Sequence, residues 1–435
     1  SSDVCSSDLP TFQQNLETLV LPQIETLPET KELIKMFQNL KKIEIDYDFT
    51  TADLESLLRS AKFKNSLEEL IFKHAPNITD NMGTELSNYP NLKKVQLMAD
   101  SWDIHSATMQ KFLEKHPNLE ELSVKGLLEI DADLAKTLAS MKLKTLSLSD
   151  LRLMQKDTLT AFLQPNSTIE TLRLGHLDYS FENSHMASLA KFTALKNLDL
   201  SFSFNKVTSK GFTEFCSSPT VQKNLQSLVL RGLTWDSMRS EDYRALGLLP
   251  LATLSIAKCK WFNDEALKSI VNTPLSKNLK QLYLNKLSLS DSSVDALSQF
   301  PNLKSLLISN CPAFTKKGRE ALVSSDLVRK NLDSLALNRF NLSFDIMKKV
   351  VQLPQLRVLF IFNNKACNDD ETQNLLDAAP KTLSMSADDA GGASPIINKF
   401  AETLAIYEQS KSVVSVPKSS QQPGRLHHFF KKFVK

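Results

Sequence analysis

The chain has 435 residues, of which 52 are basic and 49 acidic, giving a formal charge of +3 with 42% hydrophobic and 8% aromatic side chains. That is the composition of an ordinary folded chain, its ten glycines argue against glycine-loop nucleotide folds, and no apolar run approaches the roughly 18–20 residues that span a bilayer. The five cysteines, at 5, 216, 259, 311 and 367, contain no Cys-x-x-Cys pair, so neither a disulfide framework nor a zinc site is readable and a reducing compartment, cytosol or nucleus, is expected.

In chain order, residues 1–9 repeat Ser-Ser-Asp and read as an adapter-like leader, set aside from fold reasoning. The repeating signal then starts. A pattern L-x-x-L-x-L, with Ile, Val or Phe substituting, begins at Leu16, Leu40, Leu67, Leu92, Leu119, Leu143 and Ile169. It continues at Leu195, Leu225, Leu251, Leu279, Leu303, Leu332 and Leu356, fourteen copies spaced 24 to 30 residues apart. Each copy predicts a short strand, such as Leu198-Asp199-Leu200, then a loop and a helix. Asn263 before Asp264-Glu265-Ala266-Leu267 and Thr315 before Lys316–Leu322 are helix N-caps. Pro-Asn closes helices, as at Tyr89-Pro90-Asn91 and His116-Pro117-Asn118. One strand–helix unit cannot bury its own apolar face, so the copies must stack.

This pattern is the leucine-rich repeat. The segments Leu254–Cys259 with Asn263–Leu267, and Leu306–Cys311 with Thr315–Leu322, resemble the cysteine-containing repeats of F-box leucine-rich-repeat proteins in the ribonuclease-inhibitor-like superfold. Ile78-Thr79-Asp80 and Val207–Phe212 are similar to the "ITDxGL" segment of the same type. The resemblance implies an α/β solenoid (horseshoe) of about 14 repeats with an inner parallel β-sheet and outer helices. The resemblance covers roughly residues 15–365; the solenoid is expected over 10–386, followed by a linker and capping helix over 387–409 and a disordered tail over 410–435. It also implies a substrate-recognition role in a cullin-RING (SCF-type) ubiquitin ligase, with an F-box upstream of Leu16 binding the cullin-RING adaptor.

Between the leucines, the intervening residues are expected on the concave face. No acid/base pair, nucleophile constellation or His cluster recurs there, so no enzyme, cofactor, metal site or small-molecule substrate is expected. Lone histidines such as His74 and His176 read as surface or satisfied residues, and Cys259 and Cys311 as small buried ones. In the early repeats Lys42, Glu69, Lys94 and Glu121, and beside them Lys41, Glu68, Lys93 and Glu120, alternate in sign and read as a self-neutralising ladder. In the later repeats Tyr283, Leu307, Val358, Phe360 and Phe362 place apolar groups on the same face, as anchors for a protein client. The helix-patterned stretch from Ser394-Pro395 through Ile396, Ile397, Phe400, Leu404 and Tyr407 is expected to cap the last repeat, and Phe360 and Phe362 are split between cap and client.

The tail, 410–435, has six basic residues and no acidic one, which leaves the repeats close to neutral. Its Leu426, Phe429 and Phe430 have the spacing of the box by which replication and repair proteins dock on the sliding clamp (PCNA). The resemblance departs at Pro423, where that box has Gln; Gln422 stands one residue early. Attachment to an anionic membrane through the phenylalanines and a basic nucleic-acid contact are weaker alternatives. Two further readings of the whole chain are a clamp-tethered replication or repair scaffold and an inhibitor-like or effector-type interaction protein.

Overall fold

A strand-and-helix repeat with leucines at every second strand position has one way to remove them from water: each strand pairs beside the preceding one and shares its core. The computed structural model shows that arrangement. It describes residues 15–21, 28–46, 49–126, 129–150, 156–175, 181–201, 206–233, 238–362, 369–380 and 383–386, divided into two compact units at Phe181/Glu182.

In the first unit the strands are β1 (Thr18–Leu21), β2 (Lys42–Ile45), β3 (Glu69–Thr79), β4 (Lys94–Asp103), β5 (Glu121–Lys125), β6 (Thr145–Ser149) and β7 (Thr171–Gly175). Each is parallel to the next in chain order, and the register aligns Leu19, Ile43, Leu70, Val95, Leu122, Leu146 and Leu172 in one column. All seven are buried. Helices connect the strands, and right-handed crossovers between parallel neighbours place them on one side of the sheet.

The second unit repeats the plan with β8 (Asn197–Ser201), β9 (Ser227–Arg231), β10 (Thr253–Ala257), β11 (Gln281–Asn285), β12 (Ser305–Ser309), β13 (Ser334–Asn338), β14 (Val358–Phe362) and β15 (Ser384–Ser386). Its column runs Leu198, Leu228, Leu254, Leu282, Leu306, Leu335, Leu359 and Met385. The expected leucine-rich-repeat solenoid is therefore the fold. Two elements go beyond the sequence reading. β15 adds a strand after the fourteenth repeat, and β3 and β4 run on past their cores, pairing again from Ala75↔Ala99 to Thr79↔Asp103 after a register shift. That extension brings the Trp102 indole N–H to the Lys125 carbonyl at 3.1 Å. It also presses the ring against Gly126, whose φ of 135° and lack of a Cβ make the approach feasible.

The capping residues do more than start helices. Asn263 accepts from the N–H groups of Glu265 and Ala266 at 3.0 and 3.1 Å, and Thr315 from Gly318 N–H at 3.4 Å, as expected. The acidic or amide residue beside the cap then reaches the following repeat. Asp80 Oδ1 accepts from His105 N–H at 2.9 Å, Asn183 Oδ1 from Thr208 N–H at 2.8 Å, Asp264 Oδ1 from Ser290 N–H at 2.9 Å, and Asp291 Oδ1 from Thr315 N–H at 2.8 Å. The Asp of the Ile78-Thr79-Asp80 segment is thus an inter-repeat staple. Asp264 also takes the hydroxyls of Ser290, Ser292 and Ser293. Burial works to raise its carboxyl, but these donors outweigh it and hold the group below its ordinary pKa. The Asn of Pro-Asn is a second staple: Asn91 and Asn302 donate to the carbonyls of Asn65 and Lys277 in the preceding repeats, at 2.5 and 2.7 Å.

Glycine at the third helical position makes room for the staple. A Cβ on Gly318 would collide with the Asp291 carboxylate, and one on Gly211 with Asn183. Gly318→Ala, a change that helix propensity alone would favour by about 1 kcal/mol, is therefore expected to destabilise the protein by about 1–3 kcal/mol in urea unfolding. A stabilised variant would contradict the staple.

Candidate functional site

The sheet face opposite the helices differs between the two units. In the first, strand register turns the sequence alternation into a ladder. Lys42 lies opposite Glu69, Glu69 opposite Lys94, and Lys94 opposite Glu121, with ion pairs of 3.8 Å for Lys42–Glu69 and 2.9 Å for Lys94–Glu121. The adjoining row is longer than the sequence reading had it. Glu17–Lys41, Glu68–Lys93 and Glu120–Lys144 pair at 2.7, 2.8 and 2.7 Å. Backbone N–H groups of Lys41, Glu68, Lys93, Glu120, Lys144 and Glu170 each donate to the carbonyl of the row member one repeat earlier. Hydrogen bonding to Glu17 and Glu120 raises the pKa of Lys41 and Lys144, and Lys93 lowers that of Glu68. At Glu44 burial works upward, but Lys73, at 2.6 Å, and Lys42 hold the carboxyl below its ordinary value. The ladder satisfies itself and offers little net charge to a partner.

In the second unit the face becomes apolar. Register aligns Tyr283, Leu307, Ala336 and Phe360 across β11–β14 in one row, ending opposite Ser386. Ser305, Ser334 and Val358 form the row on the strand-start side. The expected anchors Tyr283, Leu307, Val358 and Phe360 are thus brought together, and they are buried, with 6%, 1%, 0% and 2% of their surface exposed. Phe362 ends β14 opposite Asn338; its side chain, the 394–407 segment and the tail residues Leu426, Phe429 and Phe430 lie outside the described residues. The sequence reading overlooked the small members of this face, Ala336, Ser305 and Ser334. It also overlooked Asn285, whose amide Nδ2 and Oδ1, like the Ser305 and Ser334 hydroxyls, are buried with no hydrogen-bond partner. Each such group costs about 1–3 kcal/mol.

At the ends of these strands Lys258, Lys286, Asn310 and Arg339 occupy one structural position, all with φ between 52° and 59°. Left-handed backbone is unfavourable for Lys and Arg, so the turn imposes it, and the repetition was visible only once strand ends were aligned. Burial and then the charges of Arg231 and Lys286 lower the Lys258 pKa.

The remaining candidates are structural. The thiols of Cys259 and Cys311 donate to the Ala257 and Ser309 carbonyls at 3.2 and 3.5 Å, and burial pushes their pKa values up to about 12 and about 11, so neither is a thiolate near neutral pH. His74 bonds Asp46 at 2.6 Å on the surface, and buried His116 sets its two ring nitrogens against the Phe112 and Tyr89 carbonyls. Among the described residues no group of three or more His, Cys, Asp or Glu could hold a metal ion, and no helix is long and apolar enough to cross a membrane.

No protein-family model matches the chain, and no curated protein does. Solved structures do. A chain of the yeast Rad7–Elc1 complex is similar, with TM-score 0.53 and 16% identity over 82% of this chain and 83% of that one. Toll-like receptor TLR13, from its complex with ssRNA13, matches with TM-score 0.39 and 18% identity over 84% of this chain and 57% of the receptor. An internalin of Listeria monocytogenes matches with TM-score 0.29 and 14% identity over 89% and 90%. The Rad7–Elc1 likeness is one of fold, the leucine-rich-repeat class.

The ladder gives a measurable expectation. With Lys94 and Glu121 about a third or more exposed, a double-mutant cycle on Lys94→Ala and Glu121→Ala should return a coupling of ~0.2–1 kcal/mol that shrinks in high salt. A larger, salt-insensitive coupling would show that the pair is not a surface ladder.

Proposed function

We propose that this chain is a non-enzymatic protein-binding adaptor whose client seats on the second unit, where Tyr283, Leu307, Val358 and Phe360 meet. One observation carries the reading: where the first unit's sheet carries self-paired charge rows, the second unit's carries an in-register apolar row. Paired charges hold a surface in water, whereas desolvated aromatic and aliphatic anchors supply most of the energy in protein recognition. In its finer form, from the likeness to F-box leucine-rich-repeat proteins, the chain is the substrate-recognition subunit of an SCF-type ubiquitin ligase. The fold it shares with a chain crystallised in the Rad7–Elc1 complex is in keeping with a role inside a protein assembly. Tyr283→Ala and Phe360→Ala should each reduce recovery of the client in affinity purification of the full chain about tenfold. Undiminished recovery with both folded variants would refute this surface.

A second reading rests on the tail. Leu426, Phe429 and Phe430, in a stretch with six basic and no acidic residues, suit attachment to the sliding clamp, and an adaptor tethered there would serve replication or repair. A synthetic 418–435 peptide titrated against the clamp tests it: substitution of all three by Ala should abolish binding, and equal binding by both peptides would sink the clamp reading.

A further inference from the structure

The strands of the second unit pair parallel in chain order. Crossovers between parallel neighbours are as a rule of one hand, which puts the helices on one side of the sheet, so the other side should face water. It does not. In β12, Ser305, Leu307 and Ser309 are 2%, 1% and 1% exposed, and in β13, Ser334, Ala336 and Asn338 are 0%, 1% and 3% exposed. Every residue of both strands is buried on both faces, whereas the matching positions of β6 and β8 are half-buried. This shielding exists within a single chain. The buried Ser305 and Ser334 hydroxyls and the Asn285 amide have no protein hydrogen-bond partner, so the surface against them brings no polar protein group within reach, as an apolar segment would.

We propose that the occupant is this chain's own segment 394–407, lying across the Tyr283–Leu307–Ala336–Phe360 row as a built-in ligand. The chain leaves β15 at Ser386, opposite Phe360 at the end of that row, and 49 residues follow. Of these, 394–407 carries Ile396, Ile397, Phe400, Leu404 and Tyr407 at helical spacing behind Ser394 and Pro395. A helix of that length is about 21 Å long, and the four strands span about 14 Å. The intervening Ala387–Ala393, with Gly391 and Gly392, reaches at most about 25 Å, enough to turn back over the sheet. Small Ala336 stands between the larger Leu307 and Phe360, with Ser334 in the neighbouring row, which leaves room for a bulky side chain. The tail 410–435 has a stripe of its own, Leu426, Phe429, Phe430 and Phe433, but sets it among six basic residues with no acidic one, charges that an apolar face would leave unpaired.

For regulation, this inference rests on the reading of the row as a client surface: a client would have to displace the segment and would present apolar residues at similar spacing. The self-occupation itself needs no client to be tested. In the full chain, Leu307 replaced by photo-leucine should on irradiation cross-link within the same molecule to residues 394–407. A cross-link to 410–435, to a second copy of the chain, or to nothing would overturn the proposal. Independently, Phe400→Asp with Leu404→Asp in the full chain should raise the fluorescence of a hydrophobic-surface dye several-fold while unfolding remains cooperative. The same variant should bind a synthetic 392–409 peptide at least about tenfold more tightly than the native chain does. Unchanged dye fluorescence and peptide binding would overturn it. Failure of Tyr283→Ala and Phe360→Ala to affect a client, with the cross-link present, would remove the client reading and leave the self-occupation standing.

Discussion

Strand register is the constraint on which everything else depends. A single repeat has an apolar stripe with nothing of its own to cover it, so each copy completes its core only against its neighbours. Once Leu70 is set beside Val95 and Leu254 beside Leu282, every other position is set too. A residue one place before a leucine meets the same place in the next repeat, and its chemistry is read as a row across the sheet. The charge rows of the first unit and the apolar row of the second follow from one geometry filled with different side chains.

That geometry makes a repeat sequence unusually readable. The leucine columns, the parallel order, the caps at Asn263 and Thr315 and the alternation through Lys94 and Glu121 all follow from spacing and need no knowledge of distant contacts. The readings that fell short concern what spacing does not encode. Strand β15 contributes only Ser384-Met385-Ser386 with Leu383 before it, too small a fragment of the pattern to register as a repeat. The extension of β3 and β4 depends on Trp102 finding Gly126, a contact between different repeats.

The candidate site was legible in its membership and not in its environment. Alternation tells which side of the sheet Tyr283, Leu307 and Phe360 occupy; their burial depends on what lies against that side. The residues that shape the face, Ala336, Ser305 and Ser334, gave no signal of their own because small side chains are common in strands and loops alike. They acquire meaning only beside their larger neighbours. The left-handed turns at Lys258, Lys286 and Arg339 were hidden for the opposite reason: neither Lys nor Arg announces a positive φ.

The staples at the helix starts have a direction. In each, a side-chain oxygen belonging to one helix start is satisfied by the main-chain amide of the repeat that follows it, from Asp80 to His105 and from Asp264 to Ser290. As the polypeptide leaves the ribosome, N-terminal end first, a newly made repeat still lacks the partner for its carboxylate. Its last polar bond closes only after roughly another 25 residues have emerged, so assembly trails synthesis by about one repeat. The unfinished edge of the growing solenoid always points toward the end not yet translated.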